Sequence, residues 1–239
     1  MNRIFVAGDT HGGAAGDLQK LHSSKFDPKL LDKEDYVIIL GDFGLIWDAN
    51  ESSKSEAHTL KWLADKPWTT LFVDGNHENF DRIDQLETVK MFGEEVGKVN
   101  DSIFHLRRGY VYTIAEKKIF TFGGGFSIDK AQRQEHISWW RQEAPSEAEY
   151  SRGLQNLEKV DNVVDYILTH TCSTSEFGEI HQELGFNHKI AGEEQLREYL
   201  QKVLDASQYK AHCFAHFHAD FDLVRHRSFL LYSRTKELL

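Results

Sequence analysis

Thr70-Leu71-Phe72-Val73-Asp74-Gly75-Asn76-His77-Glu78 is an apolar run that breaks abruptly into a Gly-Asn turn followed by an imidazole. The run has the length and the β-branched and aromatic character of a buried strand, and Gly-Asn closes such a strand with a tight turn. Turn chemistry alone accounts for the tetrad. The same residues also set an amide oxygen able to ligate a metal beside a ring able to carry a proton.

Four other stretches repeat the pattern. Ile4-Phe5-Val6-Ala7 runs into Gly8-Asp9-Thr10-His11, Val37-Ile38-Ile39-Leu40 into Gly41-Asp42, the apolar 163–168 into Thr169-His170, and Cys213-Phe214-Ala215 into His216-Phe217-His218. Each reads as a buried strand delivering oxygen or nitrogen donors at its carboxyl end, the edge along which open α/β sheets bind ligands. Side chains alternate along a strand, so Asp9 and His11 are expected on one face, as are His216 and His218 if their strand persists. Asp42, with two carboxylate oxygens, suits a bridge between two cations, because the apolar 43–47 leaves it no helix to cap.

The order Asp-x-His, Gly-Asp, Gly-Asn-His-Glu, a lone His and His-x-His, spread over residues 8–218, resembles the calcineurin-like metallophosphoesterases. The resemblance implies an α/β fold: a four-layer α/β/β/α sandwich of two stacked mixed β-sheets, with a dinuclear metal site at the carboxyl ends of the strands. It implies Asp9, His11 and His218 on one metal, Asn76, His170 and His216 on the other, and Asp42 between them. Oxygen and imidazole donors without thiolate suit two divalent ions, Mn foremost, with Fe or Zn also matched. In such a site a hydroxide bridging the ions attacks a phosphate mono- or diester. His77 is then left to protonate the departing alkoxide or to steady the phosphoryl group.

Departures from the family pattern narrow the group. Ala215 stands where the family usually has Gly, which raises the question of a crowded or left-handed backbone there. The arginines of the Ser/Thr protein phosphatases are missing around Gly41-Asp42 and Gly75-Asn76, and Leu45 replaces the tyrosine of the purple acid phosphatases. The segment 123–147 looks like that of small bacterial and phage-type members. A nuclease acting on DNA or RNA, and a non-catalytic scaffold on the same fold, are the competing readings.

With 239 residues the chain is long enough for one metallophosphoesterase domain over 1–239, and its three prolines mark no linker. A net charge of -10 disfavours broad attraction to a nucleic-acid backbone and leaves a small phosphorylated substrate as the expected partner. No run reaches the apolar length of a membrane span. The apolar residues 4–8 are too few for a signal peptide, and cleavage after them would remove Asp9, so a cytoplasmic setting is expected. Cys172 and Cys213 are too few for a disulfide framework and are expected as small buried residues.

Along the chain, helices are expected over 14–24, with Leu18 and Leu21 inward, and over 54–65, with His58, Leu60, Trp62 and Leu63 around the inner half. Further helices are expected over 79–86, 147–160 and 193–204, with a cap at Asp27-Pro28. Strands are expected over 103–106, 110–114 and 118–122 as a meander, and over 221–226 and 229–232 as a closing hairpin. Gly123-Gly124-Gly125 is either a flexible loop or a close approach of backbone to ligand. The segment 126–145 is either a surface excursion or a lid whose Lys130 or Arg133 contacts substrate phosphate. The stretch 175–188 reads as irregular, with His181 and His188 on the surface.

Overall fold

A computed structural model describes residues 2–22, 30–49, 52–185 and 192–239. The expected cap at Asp27-Pro28 and His188 lie outside the described residues. Three apolar runs form parallel neighbours as the pattern requires: β1 (Ile4–Ala7), β2 (Tyr36–Leu40) and β3 (Thr69–Val73). They join β4 (Glu87–Met91), β5 (Glu94–Asn100), β6 (Ile103–Leu106) and the terminal β13 (Thr235–Leu238) in a seven-stranded mixed sheet, ordered β13-β1-β2-β3-β6-β5-β4. The second mixed sheet is six-stranded. It is built from β7 (Tyr110–Ile114), β8 (Lys117–Phe122), β9 (Tyr166–Thr169), β10 (Ala211–Phe214), β11 (Phe221–Leu223) and β12 (Ser228–Leu230), in the order β11-β12-β10-β9-β8-β7.

The alternation of a strand explains the layering. Ile4, Val6, Ile38, Leu40, Leu71 and Val73 point at the other sheet and meet Ile119, Tyr166, Leu168 and Cys213 in one core. Phe5, Ala7, Val37, Ile39 and Phe72, the alternate residues, pack on the opposite face with Leu21, Leu63 and Trp68. On the far side of the second sheet, Phe120, Phe122 and Ile167 meet α3 (Glu147–Glu158) and α5 (Glu194–Ala206) through Tyr150, Leu157, Leu196, Tyr199 and Val203. The result is two stacked mixed sheets with helices outside, as the resemblance implied. Among the described residues no helix is long and apolar enough to cross a membrane.

Several expectations are corrected. The first helix is a 3-10 segment over His11–Leu21, because Gly12, Gly13 and Gly16 hold positive φ and interrupt an α-helical ladder; Leu21 is buried and Leu18 packs beside it. In α1 (Lys54–Ala64) His58 is exposed; Glu56 and Leu63 are the buried residues. The helix after His77 is one turn, α2 (Phe80–Ile83), and the β4–β5 hairpin was not foreseen. Residues 175–184 are not irregular but belong to α4 (Thr174–Leu184), opened by a capping box between Ser173 and Glu176, with His181 on its exposed side. The last hairpin is shorter than expected, and β13 leaves it to pair antiparallel with β1.

Candidate metal centre

β1, β2, β3, β9 and β10 end at one edge of the sandwich, and the loops that follow carry the donors. The strands stop before the donors: β1 ends at Ala7 and β10 at Phe214, so alternation is not what aims them. Instead His11, Asp42, His216 and His218 adopt positive φ, at 41°, 48°, 72° and 48°. Left-handed backbone at non-glycine residues is costly and clusters where a site over-determines it. Ala215 is fully buried but not left-handed; that conformation falls on His216 and His218, so the residue replacing the family's glycine does not bear the strain.

Ligand-capable atoms of Asp9, His11, Asp42 and His218 lie within 4.8 Å of one another, so this cluster can hold a metal ion. On its other side Asp42 Oδ1 lies 3.4 Å from His170 Nε2, and His170 Nε2 lies 3.1 Å from both Asn76 Oδ1 and His216 Nδ1. All seven expected donors are thus brought to one place.

The outer partners of the rings show which atoms are left to ligate. His170 donates its Nδ1–H to the Leu40 carbonyl at 2.8 Å, leaving Nε2 as a lone pair. His216 has its Nε2 3.2 Å from the buried carboxylate of Glu193, leaving Nδ1. His11 meets Asp17 through Nδ1 at 2.8 Å, leaving Nε2 3.2 Å from Asp42 Oδ2. Asn76 donates its amide to Ser127 Oγ at 3.3 Å, which turns Oδ1 inward. In the pocket formed by Asn76, His170, His216 and Asp42, His170 Nε2 lies within 3.4 Å of an amide oxygen, a carboxylate oxygen and a second imidazole nitrogen. Such a gathering of atoms able to ligate suits a shared cation, and Asp9 Oδ2, buried without a hydrogen-bond partner, adds an unsatisfied acceptor. The donor set therefore fits divalent metal.

Titration follows from the same crowding. Burial, then the charge of Asp42, pushes the Asp9 carboxyl up to about 7. Burial works against a charged His11, but the hydrogen bond and charge of Asp42 outweigh it and raise that ring to about 9. The carboxylates that draw a proton onto His11 attract a divalent cation in the same way.

His77 occupies the wall beside this centre. Its backbone N–H donates to Asp42 Oδ1 at 2.8 Å, and Arg133 Nη1 donates to its Nδ1 at 3.2 Å, so the ring proton is on Nε2. Burial, with the charge of Arg133 adding to it, lowers the His77 pKa. Arg133 is itself held by Asp129 at 2.7 Å and lines, with Asp42, Asn76, His77 and His216, a cavity of about 370 Å³. Lys130 does not join it. That side chain is exposed and sits over the Phe126 and Trp139 rings at 5.8 and 5.9 Å, so of the two cations expected in the 126–145 segment only Arg133 reaches the site. The glycine run is a close approach rather than a free loop: a Cβ on Gly125 would stand 2.9 Å from Asn76 Oδ1 and 3.1 Å from His170 Cδ2.

Residues not singled out from sequence complete the frame. Glu78, fully buried, accepts from the backbone of Phe43, Gly44 and Gly75 and so ties the loop after β2 to the loop after β3. Asp17 bonds His11, and the Glu193 carboxylate stands beside His216. Asp17 lies six positions beyond His11, whereas Glu193 opens a helix and gives no local sign of facing a histidine. A family model described as calcineurin-like phosphoesterase matches residues 2–220. A search of curated proteins finds no match.

Proposed function

Since the chain belongs to the calcineurin-like phosphoesterase family, a group of metal-dependent phosphoesterases, we propose that it hydrolyses small phosphate mono- or diesters at a two-metal centre. The observation that carries this reading is the convergence of atoms able to ligate a cation from Asp42, Asn76, His170 and His216, continuous through Asp42 with the Asp9, His11 and His218 cluster. The ligand roles follow: Asp9, His11 and His218 for one ion, Asn76, His170 and His216 for the other, Asp42 shared. Manganese is favoured, and iron or zinc suits the same donors. When bound, the ions supply Lewis acidity and an activated water at neutral pH.

The chain's own residues position the rest. His77, neutral and protonated at Nε2, is a hydrogen-bond donor to a phosphoryl or leaving oxygen; Arg133 fixes that tautomer and brings positive charge to the cavity wall for the phosphate. The net charge of -10 keeps polynucleotides second to small substrates. The two cysteines, free and buried, suit a cytoplasmic setting.

The test is a panel of p-nitrophenyl phosphate, its bis-diester, nucleotides and single-stranded DNA, each assayed with Mn, Zn and chelator. His77→Ala is expected to keep its metal content and lose on the order of 10² to 10⁴ in rate. Unchanged turnover would remove His77 from the mechanism. Silence across the panel with metals bound would leave the scaffold reading in place, and preference for DNA would favour a nuclease.

A further inference from the structure

A second cavity, of about 650 Å³, opens beside the first and shares His77 and His218 with it. Its volume lies within the usual range of small-molecule sites. Trp47 lines it, with its indole 6.3 Å from the His77 ring and braced at 5.5 Å by the buried Trp140. Leu45 and Tyr232 add apolar surface, and Tyr232 stacks on His218 at 4.9 Å.

Away from His11, the fixed charge on this wall is negative. Among the described residues that line it there is no Lys or Arg, while Asp17, Asp48 and Glu56 all do. Glu56 is matched by Arg82 at 2.7 Å, and Asp17 is engaged by His11 and by the Tyr232 hydroxyl. Asp48 is half-buried and its carboxylate is bonded by the backbone N–H of Ser53 at 2.8 Å and by the Ser53 hydroxyl; of the three it is the one that meets no cation at salt-bridge distance among the described residues. The first cavity has Arg133 for a phosphate; the second has an aromatic wall and a carboxylate.

We propose that the second cavity receives the leaving group, and that this group is a planar aromatic alcohol without negative charge, such as a nucleoside or a phenol, rather than one bearing a further phosphate. The inference rests on the hydrolase reading above. In the reaction water adds to phosphorus, the P–O bond to the alcohol breaks, and the alcohol departs with one of the water's protons. Stacking on Trp47 holds the ring, while Asp48 repels a leaving group that carries phosphate.

The experiment compares p-nitrophenyl phosphate, glycerol phosphate and ADP as substrates, and adenosine as a ligand titrated calorimetrically in the presence of chelator. Trp47→Ala is expected to lower the aryl-to-alkyl ratio of kcat/KM by about 10-fold and to abolish adenosine binding, with Trp47→Phe retaining both. Asp48→Lys is expected to raise kcat/KM for ADP relative to p-nitrophenyl phosphate by about 10-fold. Adenosine binding in the wild type, against none for p-nitrophenol, assigns the nucleoside; the reverse assigns a simpler phenol. Thermal melts confirm that each variant is folded, and Trp47→Phe carries the comparison if Trp47→Ala is not. An unmoved ratio in Trp47→Ala, or faster wild-type hydrolysis of ADP than of the aryl ester, overturns the proposal. Hydrolysis without this selectivity sinks the inference alone; Trp47-dependent binding without any hydrolysis sinks the hydrolase reading and leaves the aryl site standing.

Discussion

Two aspartates, Asp74 after β3 and Asp9 after β1, are equally withdrawn from water and live in opposite surroundings. Asp74 is bonded through both oxygens, to Arg108 Nε at 2.7 Å and to His105 Nε2 at 3.0 Å. Burial opposes its charge, but Arg108 and His105 outweigh that and hold the carboxyl well below the usual range. Asp9 has one oxygen without a partner and the carboxylate of Asp42 close by. The ammonium of Lys20, near it, is spent on the backbone carbonyls of Gly8 and Asp9 at 3.0 and 2.7 Å. A buried charge must be neutralised by something. At Asp74 the chain supplies the cation; at Asp9 it leaves an acceptor open, as the proposed metal ligation requires.

The largest effect should come from removing charge where the chain provides no counter-ion. Asp9→Asn keeps the shape and one acceptor for the His216 backbone N–H, which now lies 3.3 Å from Asp9 Oδ1. Elemental analysis is expected to show loss of at least one ion per chain, and kcat/KM to fall by on the order of 10³ or more. The melting temperature measured in chelator should be no lower than that of wild type, because an unsatisfied acceptor has been relieved of its charge. A variant that retains its metal, or that melts lower than wild type in chelator, would erase the distinction drawn between the two aspartates.

Arg108→Leu tests the other side. It leaves Asp74 buried with only His105, and is expected to destabilise by about 3 to 5 kcal/mol, the usual cost of breaking a buried ion pair. Denaturant curves should show the same loss with metal and with chelator. A loss seen only when metal is present would make Asp74 part of the metal centre rather than of the frame.

How much of this could be read beforehand depends on the range over which a signal acts. The apolar runs of β1, β2 and β3 were legible to the residue, because a strand buried on both faces must be continuously apolar and the polar break after it is abrupt. The convergence of the seven donors was legible for the same reason. The β4–β5 hairpin was not: Glu87–Met91 is largely exposed, and its apolar face is only the half-buried Val89 and Met91. Helix α4 had a signal that went unread, Ser173 followed three residues later by Glu176. The burial of Glu56 in place of His58 has no periodic cause. It follows from the Trp47 and Asp48 N–H groups, the Ser52 hydroxyl and, from farther along the chain, Arg82. Outer partners such as Glu193 for His216 are of the same kind, set by packing rather than by spacing.

A third buried acid sharpens the comparison between metal-neutralised and self-neutralised charge. Glu176, at the start of α4, meets His212 Nδ1 of β10 at 2.8 Å and the Ser173 backbone N–H at 2.9 Å, with both rings of contact fully buried. Burial opposes the carboxylate, but the charge and hydrogen bond of His212, with hydrogen bonds from the Ser228 side chain and the Ser173 backbone, bring its pKa down from 4.5 to about 2. A carboxyl whose folded pKa is depressed stabilises the fold above its unfolded value and loses that contribution as pH falls toward the folded one. The window therefore runs from about pH 4.5 down to about pH 2, and the shift corresponds to about 3 kcal/mol. Chemical denaturation of wild type and Glu176→Gln should show a gap of that order at pH 6 that closes as pH approaches 2. A gap constant with pH would mean that Glu176 acts through packing and neutral hydrogen bonds rather than as a charge the chain neutralises.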